Sequence, residues 1–154
     1  MVNWDLETPF LWETKVTDAH IDGLGHVNNA VYLQWLEQCA WRHSETLGLS
    51  LSSYQSLDRA MVIRRHELDY LQAAFVGDNI VVATWITAMY KRTRLTRSFQ
   101  LVRKQDGVTL LRAQSFFVCM ALSDGRPKRM PDSFMQSYAV SYTHLRAHET
   151  VLDL

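Results

Sequence analysis

The sequence predicts an α+β fold in which one long helix is wrapped by a five-stranded antiparallel sheet. A single amphipathic stretch of helical periodicity comes early in the chain. Four segments rich in β-branched and aromatic residues follow it, joined by short turns. Asp106-Gly107 is typical of a tight hairpin and makes the last two strands antiparallel neighbours. An order of strand, long helix and four strands favours one sheet packed on one helix.

The elements follow one another in a simple order. Residues 10–16 alternate in polarity, which predicts a first strand with one wetter face. The helix begins at Asn28 or Asn29, either of which can cap it, and stops at Gly48. Residues 49–59 are polar and Ser-rich and predict a connecting loop with room for a short helical turn. The other strands are predicted at residues 61–71, 79–89, 94–104 and 108–122.

Composition limits the possible classes of protein. The chain has 154 residues and is 47% hydrophobic, which is enough for one domain with its own core. Lysine plus arginine balance aspartate plus glutamate at 16 each, so the global charge favours neither nucleic acid nor an anionic membrane. Residues 116–122, the longest apolar run, are too short to span a bilayer, and we expect a cytoplasmic protein. Cys39 and Cys119 lie among apolar neighbours and are predicted to be buried, reduced thiols.

The chain is predicted to form one domain, residues 1–132, followed by a tail, residues 133–154. The tail has little patterned hydrophobicity, and residues 140–150 resemble translated adaptor read-through from shotgun sequencing. A terminal helix is the alternative for this segment. A five-stranded sheet curled around one helix leaves exposed edges, so we expect a homodimer or a homotetramer.

The turn before the helix holds the residues best suited to chemistry. Asp22 and His26 flank a bend, Gly23-Leu24-Gly25, in which the backbone can approach a ligand closely. The N–H groups of residues 28–30 belong to the first helical turn, where no helical carbonyl can accept them. A carboxylate beside such an anion-binding pole is what hydrolysis of an activated acyl group requires. Each residue also has an ordinary structural use as a turn or cap residue, so the hypothesis rests on their combination.

Residues 20–37, HIDGLGHVNNAVYLQWLE, closely resemble the signature of the hotdog-fold thioesterases of the 4-hydroxybenzoyl-CoA thioesterase type, which include long-chain acyl-CoA thioesterases. Residues 65–71, with Gly77 and Asp78 after them, are similar to that family's second strand and exit turn. The resemblance covers about residues 10–122. It implies the hotdog fold, hydrolysis of acyl-CoA to free acid and coenzyme A, and no cofactor or metal.

The same resemblance assigns roles to single residues. Asp22 would be the nucleophile or the general base for water, the Asn29 N–H would bind the oxyanion, and His26 would orient substrate or water. His20, where many relatives have a second Asp, is a candidate for substrate contact. Glu37, on the helix, has a catalytic counterpart in some hotdog thioesterases and is a second candidate for substrate contact, with a buried or partner-facing carboxylate as the alternative.

Other residues are candidates for binding the two ends of the substrate. Tyr32 could help to shape an acyl tunnel. Coenzyme A carries phosphates, and Lys91, Arg92 and Arg94, with Arg97 beyond them, form a cationic group at a predicted strand-to-strand turn. A solvated turn is the structural alternative for these cations.

Two other functions stay open at this stage. Hotdog folds also host hydration or dehydration of enoyl thioesters, although the Asp and His of those relatives are five residues apart and Asp22 and His26 are four apart. A non-catalytic module that binds acyl thioesters or lipids is the second alternative. A zinc site is rejected for His144 and His148, because this pair lacks the Glu of the His-Glu-x-x-His motif.

Overall fold

A computed structural model of the chain describes residues 2–142. Its strands are β1 (Phe10–Lys15), β2 (Ala60–Tyr70), β3 (Asn79–Tyr90), β4 (Arg94–Arg103) and β5 (Val108–Met120). They form one antiparallel sheet in the order β1-β3-β4-β5-β2. The predicted α+β class and five-stranded antiparallel sheet are confirmed, and every strand lies within two residues of its predicted bounds.

Helix α1 (Asn29–Thr46) lies on one face of this sheet. It begins where predicted because the Asn28 side chain accepts the Ala30 N–H at 2.9 Å. Beyond its end, Gly48 has a φ of +84°, a left-handed conformation that glycine adopts without strain. The 18 residues of the helix span about 27 Å. Within residues 2–142, no helix is long and apolar enough to cross a membrane.

Two clusters of buried side chains form the core of the described chain. The first surrounds the N-terminal half of α1, where Tyr32, Trp35 and Leu36 pack against residues of β3, β4 and β5. The second lies near the other end of the helix, around Leu49, Tyr54 and residues of the last described helix.

Cys39 and Cys119 are buried and free, as predicted. Burial raises the pKa of their thiols to about 12 and about 11, so neither is a nucleophile at neutral pH.

Two short α-helices complete the described chain, together with one 3₁₀ turn, Asp18–His20, after β1. Helix α2 (Leu51–Leu57) occupies the segment that was predicted as a loop with a short helical turn. Helix α3 (Asp132–Val140) starts at the predicted domain boundary and buries Phe134 and Tyr138, which are 0% and 1% exposed. The expectation that the chain loses its patterned hydrophobicity after residue 132 was therefore wrong for this stretch. Its apolar residues are four apart and pack on one side of a helix.

The rest of the tail is not part of the described structure. Residues 143–154, which hold most of the adaptor-like segment and both His144 and His148, lie outside the described residues. The origin of this segment stays a prediction.

Strand β2 forms one edge of the sheet and is exposed for most of its length. Apolar side chains along it, including Val62 and Ile63, are more than one-third exposed, and Tyr70 at its end is 48% exposed.

The N-terminal segment crosses the face of the sheet that lies opposite α1. There Asp5 pairs with Arg112, and the indole N–H of Trp85 donates to the Glu7 carbonyl at 2.9 Å.

Candidate active site

The turn before α1 is a small antiparallel hairpin. The Asp22 N–H donates to the His26 carbonyl at 2.9 Å, and the Asn28 N–H donates to the His20 carbonyl at 2.9 Å. These bonds make Ile21 and Val27 a facing pair. Val27 is buried in the first core cluster, and Ile21 packs against that cluster. Because side chains alternate along paired backbone segments, Asp22 and His26 project together from the opposite face.

Asp22 is held by its own turn. Its Oδ1 accepts the Leu24 N–H at 2.9 Å, and Gly25, with a φ of +81°, closes the bend. The side chain is half-buried. Among the residues that the structure describes, Oδ1 is the only Asp22 side-chain oxygen with a hydrogen bond. Oδ2 is therefore available to a water molecule or a substrate.

The start of α1 offers one unpaired N–H rather than the three that were expected. The Asn28 N–H is used by the His20 carbonyl, and the Ala30 N–H is used by the Asn28 side chain. Capping by an asparagine side chain was predicted from the sequence. The prediction did not include the result that two of the three N–H groups would already have acceptors. Within residues 2–142, the Asn29 N–H alone among the three has no acceptor. It stands at the positive end of the helix dipole.

The loop after β2 supports this region from one side. Ala74 accepts the Val27 N–H at 3.0 Å and donates its own N–H to the Tyr32 hydroxyl at 3.1 Å. Tyr32 is 3% exposed, and burial is the main reason that its pKa is raised. The Tyr32 hydroxyl thus holds the loop in place. If Tyr32 also shapes an acyl tunnel, as the sequence predicts, it would do so through its aromatic ring. The Tyr70 hydroxyl donates to the Asn29 carbonyl at 3.2 Å and ties the edge strand to the helix start.

The two histidines of the turn differ in how firmly they are held. The Nδ1 atom of His20 accepts the Thr17 N–H at 3.0 Å, which assigns the ring proton of neutral His20 to Nε2. Its ring also packs edge-on against Trp35, with centroids 5.3 Å apart. The His26 ring meets Phe75 edge-on at 5.5 Å and forms no side-chain hydrogen bond with any described residue. His26 is thus the histidine whose ring nitrogens remain free for a ligand.

The other candidate residues lie away from the turn. Glu37 is exposed, about 12 Å further along α1 than Asn29. It lies near His66 of β2: burial lowers the His66 pKa, and the Glu37 charge opposes that effect.

The cationic turn between β3 and β4 is only partly free. Lys91 and Arg94 each lie over the Tyr90 ring, whereas Arg92 is paired with Asp132 at the start of α3. Lys91 and Arg92 both have positive φ angles and thus lie in the left-handed region of backbone conformation. Lys91 and Arg94 are therefore the cations of this turn best placed to meet an external anion.

Arg97 is not part of that patch, contrary to the expectation from sequence. It is 2% exposed and faces α1, where its Nη1 donates to His43 Nδ1 at 2.6 Å and its Nη2 donates to Ser44 Oγ at 3.3 Å. The signal was present in the sequence, because Arg97 has the same strand phase as Leu95 and Phe99.

Comparison with known proteins decides the family. Residues 16–137 match the model of the thioesterase-like superfamily. The chain belongs to this superfamily. Its fold matches the crystal structure of a 1,4-dihydroxy-2-naphthoyl-CoA thioesterase from Synechocystis, with a TM-score of 0.78 and 25% identity over 86% of this chain and 96% of that one. The hotdog thioesterase fold implied by the motif is thereby confirmed.

This thioesterase is also similar in sequence to a hydrolase and a thioesterase that act on CoA thioesters by name. It is 29% identical to the 1,4-dihydroxy-2-naphthoyl-CoA hydrolase of Synechocystis over 79% of this chain and 88% of that protein. It is 26% identical to the long-chain acyl-CoA thioesterase FadM of Escherichia coli over 71% of this chain and 82% of that protein. The resemblance recognised in the sequence is thus confirmed at the level of the enzyme class.

Proposed function

We propose that this thioesterase hydrolyses acyl-CoA, with Asp22 as the general base for water and the Asn29 N–H as the oxyanion donor. The observation that carries the proposal is the unpaired Asn29 N–H at a helix start, next to a hairpin whose carboxylate keeps one oxygen free. Both named relatives act on CoA thioesters, which supports the same substrate class here.

The reaction needs few groups. Asp22 takes a proton from a water molecule whose oxygen attacks the thioester carbon. The carbonyl oxygen becomes negative and is stabilised by the Asn29 N–H, a donor fixed in place before the reaction starts. The intermediate then expels the coenzyme A thiolate, which takes up the proton that Asp22 removed from the water and leaves as the thiol, so Asp22 is ionised again. The free acid is the second product.

Other residues would bind and orient the substrate. His26, whose ring nitrogens are unused by the described protein, would orient the substrate or the water. Lys91 and Arg94 would bind coenzyme A phosphates by charge-assisted hydrogen bonds. His20 and Glu37 stay substrate-binding proposals.

A second copy of the chain belongs to this proposal. Strand β2 is an open edge with exposed Val62, Ile63 and Tyr70, and such edges are commonly closed by pairing. Tyr70 also contacts the helix start that carries the proposed oxyanion donor. We therefore propose a homodimer or homotetramer in which the substrate lies in a cleft between protomers.

Asp22→Asn tests the catalytic assignment. The Asn side-chain oxygen can still accept the Leu24 N–H, so the turn is preserved while the base is lost. We expect kcat for thiol release from acyl-CoA to fall at least about 100-fold. Asp18→Asn is the matched control, because Asp18 is exposed in the same segment, and we expect it to keep wild-type turnover. A folded Asp22→Asn protein with full thiol release would refute the role of Asp22.

Thiol release also separates hydrolysis from the two alternatives. A hydratase would change the enoyl chromophore without releasing coenzyme A, and a binding module would bind acyl-CoA without turnover. A screen of short, long and aryl CoA thioesters would then identify the preferred acyl group.

A further inference from the structure

A cavity of about 210 Å³ lies between α1, α3 and the sheet, in the half of the molecule away from the Asp22 turn. Ser44, which borders it, is about 22 Å along the helix from Asn29. Much of the lining is apolar and consists of Ala40, Trp41, Met61, Ile63, Leu95 and Phe117. Polar groups border the same space, including Arg97, Ser44 and the hydroxyl-bearing Tyr138.

Arg97 enters this lining as a buried cation without a counterion. No Asp or Glu within residues 2–142 forms an ion pair with it. Its hydrogen-bond acceptors are the neutral groups His43 and Ser44. Of the five N–H donors of a guanidinium, only two are used, and Nε is without any partner in the described protein.

The groups that surround Arg97 carry no negative charge that could compensate its own. Burial, and then the Arg97 charge, lower the His43 pKa to about 3, so His43 is neutral at physiological pH. Cys39 and Tyr54 also lie near Arg97, and burial raises the pKa of both side chains, so neither carries a charge at that pH. A buried charge without a partner destabilises the fold, and two neutral acceptors do not offset this cost.

Glu37 also borders the cavity but does not supply the missing charge. It is exposed, and its field acts on His66 rather than on Arg97. The lining of the cavity therefore combines a positive charge, the three hydroxyl-bearing side chains of Ser44, Tyr54 and Tyr138, and an apolar wall. This combination is complementary to an anion with an apolar body.

We propose that this cavity binds an apolar carboxylate, with its charged end on Arg97 and its body against the apolar lining. Ser44 and Tyr138, whose hydroxyls are 3.3 Å apart, border the place of the carboxylate. A volume of about 210 Å³ equals about seven water molecules, which fits acids of the size of benzoate or hexanoate. The carboxylate is either a free acid or the far end of an acyl group on a thioester. The first source requires no catalysis, whereas the second rests on the proposed hydrolysis.

Binding to the full chain tests the proposal directly. Benzoate and hexanoate should bind the wild-type protein at least about tenfold more tightly than benzyl alcohol and hexanol, because a charge-assisted bond is lost in the alcohols. Calorimetric titration measures both pairs. Equal affinity for acid and alcohol, or no binding of either acid, would overturn the proposal without any variant being made.

Arg97→Met separates a binding role from a structural one. Methionine has a similar length and no charge, so removing an uncompensated buried cation should leave the urea midpoint of the empty protein unchanged or raise it. The same variant should bind benzoate at least about tenfold more weakly. Retained binding of the acid overturns the proposal. So does a urea midpoint that falls in the empty protein while the affinity for benzoate is unaffected.

Turnover distinguishes the two sources of the carboxylate. If it is the far end of an acyl group, Arg97→Met raises KM for a thioester with a terminal carboxylate and not for a methyl-ended thioester of equal length. If it is a free acid, the variant weakens the binding of benzoate and has the same KM as the wild type for both thioesters. Should the protein lack thioesterase activity altogether, the direct binding measurement still decides whether the cavity takes the acid.

Discussion

Near each end of α1 a hydrogen-bond donor lacks an acceptor among the described residues, but one donor is exposed to solvent and the other is buried. At the N-terminal end, the Asn29 N–H has no acceptor among the described residues, but it lies on an exposed residue where water can satisfy it. Further along the helix, the Arg97 guanidinium also lacks a full set of partners, yet it is 2% exposed. An unpaired donor costs little when solvent reaches it and several kcal/mol when it is buried.

The difference separates two kinds of site. The turn site is built from neighbours in sequence: a hairpin places Asp22 and His26 together, and the cap leaves one donor free. The Arg97 site is built from residues more than 50 positions apart, on β4 and α1. A local site can be recognised in a motif, whereas a nonlocal one is visible only when the sheet is paired with the helix.

The largest effect is expected from removing the donor at the exposed end. Asn29→Pro deletes a single N–H at the first helical position, where proline is well tolerated. Asn28, with φ −60° and ψ 136°, already has the backbone that precedes a proline. Loss of one oxyanion donor should lower kcat about 100-fold to 1,000-fold, measured by thiol release.

Asn29→Ala is the matched control for this change. It removes the side chain and keeps the N–H, so its turnover should stay within a few fold of wild type. Equal losses in the two variants would show that the Asn29 side chain, and not its backbone, matters.

The next largest effect concerns pH and the buried end. In the unfolded chain His43 binds a proton below about pH 6.5, whereas in the folded protein it stays neutral down to about pH 3. The unfolded state therefore binds more protons in this window, and the stability that His43 contributes is full above pH 6.5 and is lost as the pH falls. Between pH 7 and pH 4 this loss is about 3 kcal/mol of unfolding free energy.

His43→Gln isolates that contribution, since glutamine can accept the Arg97 N–H and does not titrate. Urea unfolding at several pH values should show a shallower pH dependence in the variant than in the wild type. Parallel stability curves would contradict a neutral, buried His43.

The smallest effect concerns the backbone of the turn. A side chain at Gly23 or at Gly25 would meet no atom within 4 Å, but only Gly25 has a left-handed φ, +81°. Gly25→Ala should therefore cost about 1–2 kcal/mol of unfolding free energy. Gly23→Ala serves as its control and should be nearly neutral in urea unfolding. Equal costs in the two variants would show that the left-handed φ of Gly25 does not set the cost of a side chain in this turn.

Much of the fold was predictable because it depends on local patterns. The Asp106-Gly107 turn, the alternation within the strands and the Asn28 cap each act over a few residues, and each was found in its predicted place. Helix α3 was missed because its apolar stripe, Phe134 and Tyr138, is too short to indicate a helix by its spacing alone. The stripe is recognised only when these side chains are seen to be buried in the second core cluster.

The candidate site was predictable to a similar degree. The motif located Asp22, His26 and Asn29, whose roles stay predictions. The single free donor could not be foreseen, because the His20 carbonyl that occupies the Asn28 N–H becomes its partner only when the hairpin closes. Arg97 was assigned to the wrong surface because its neighbours in sequence are cationic, whereas the phase of its strand turns it inward.

The sequence by itself determined the strands, the long helix, the position of the turn before it and, through its motif, the thioesterase family. These features depend on backbone preferences and spacings that act between near neighbours. Only the tertiary structure decided which donors of the helix start remain free and which cation is buried without a counterion. Both depend on partners that the chain brings together from distant positions, and water is excluded from Arg97 only after the sheet, α1 and α3 have packed.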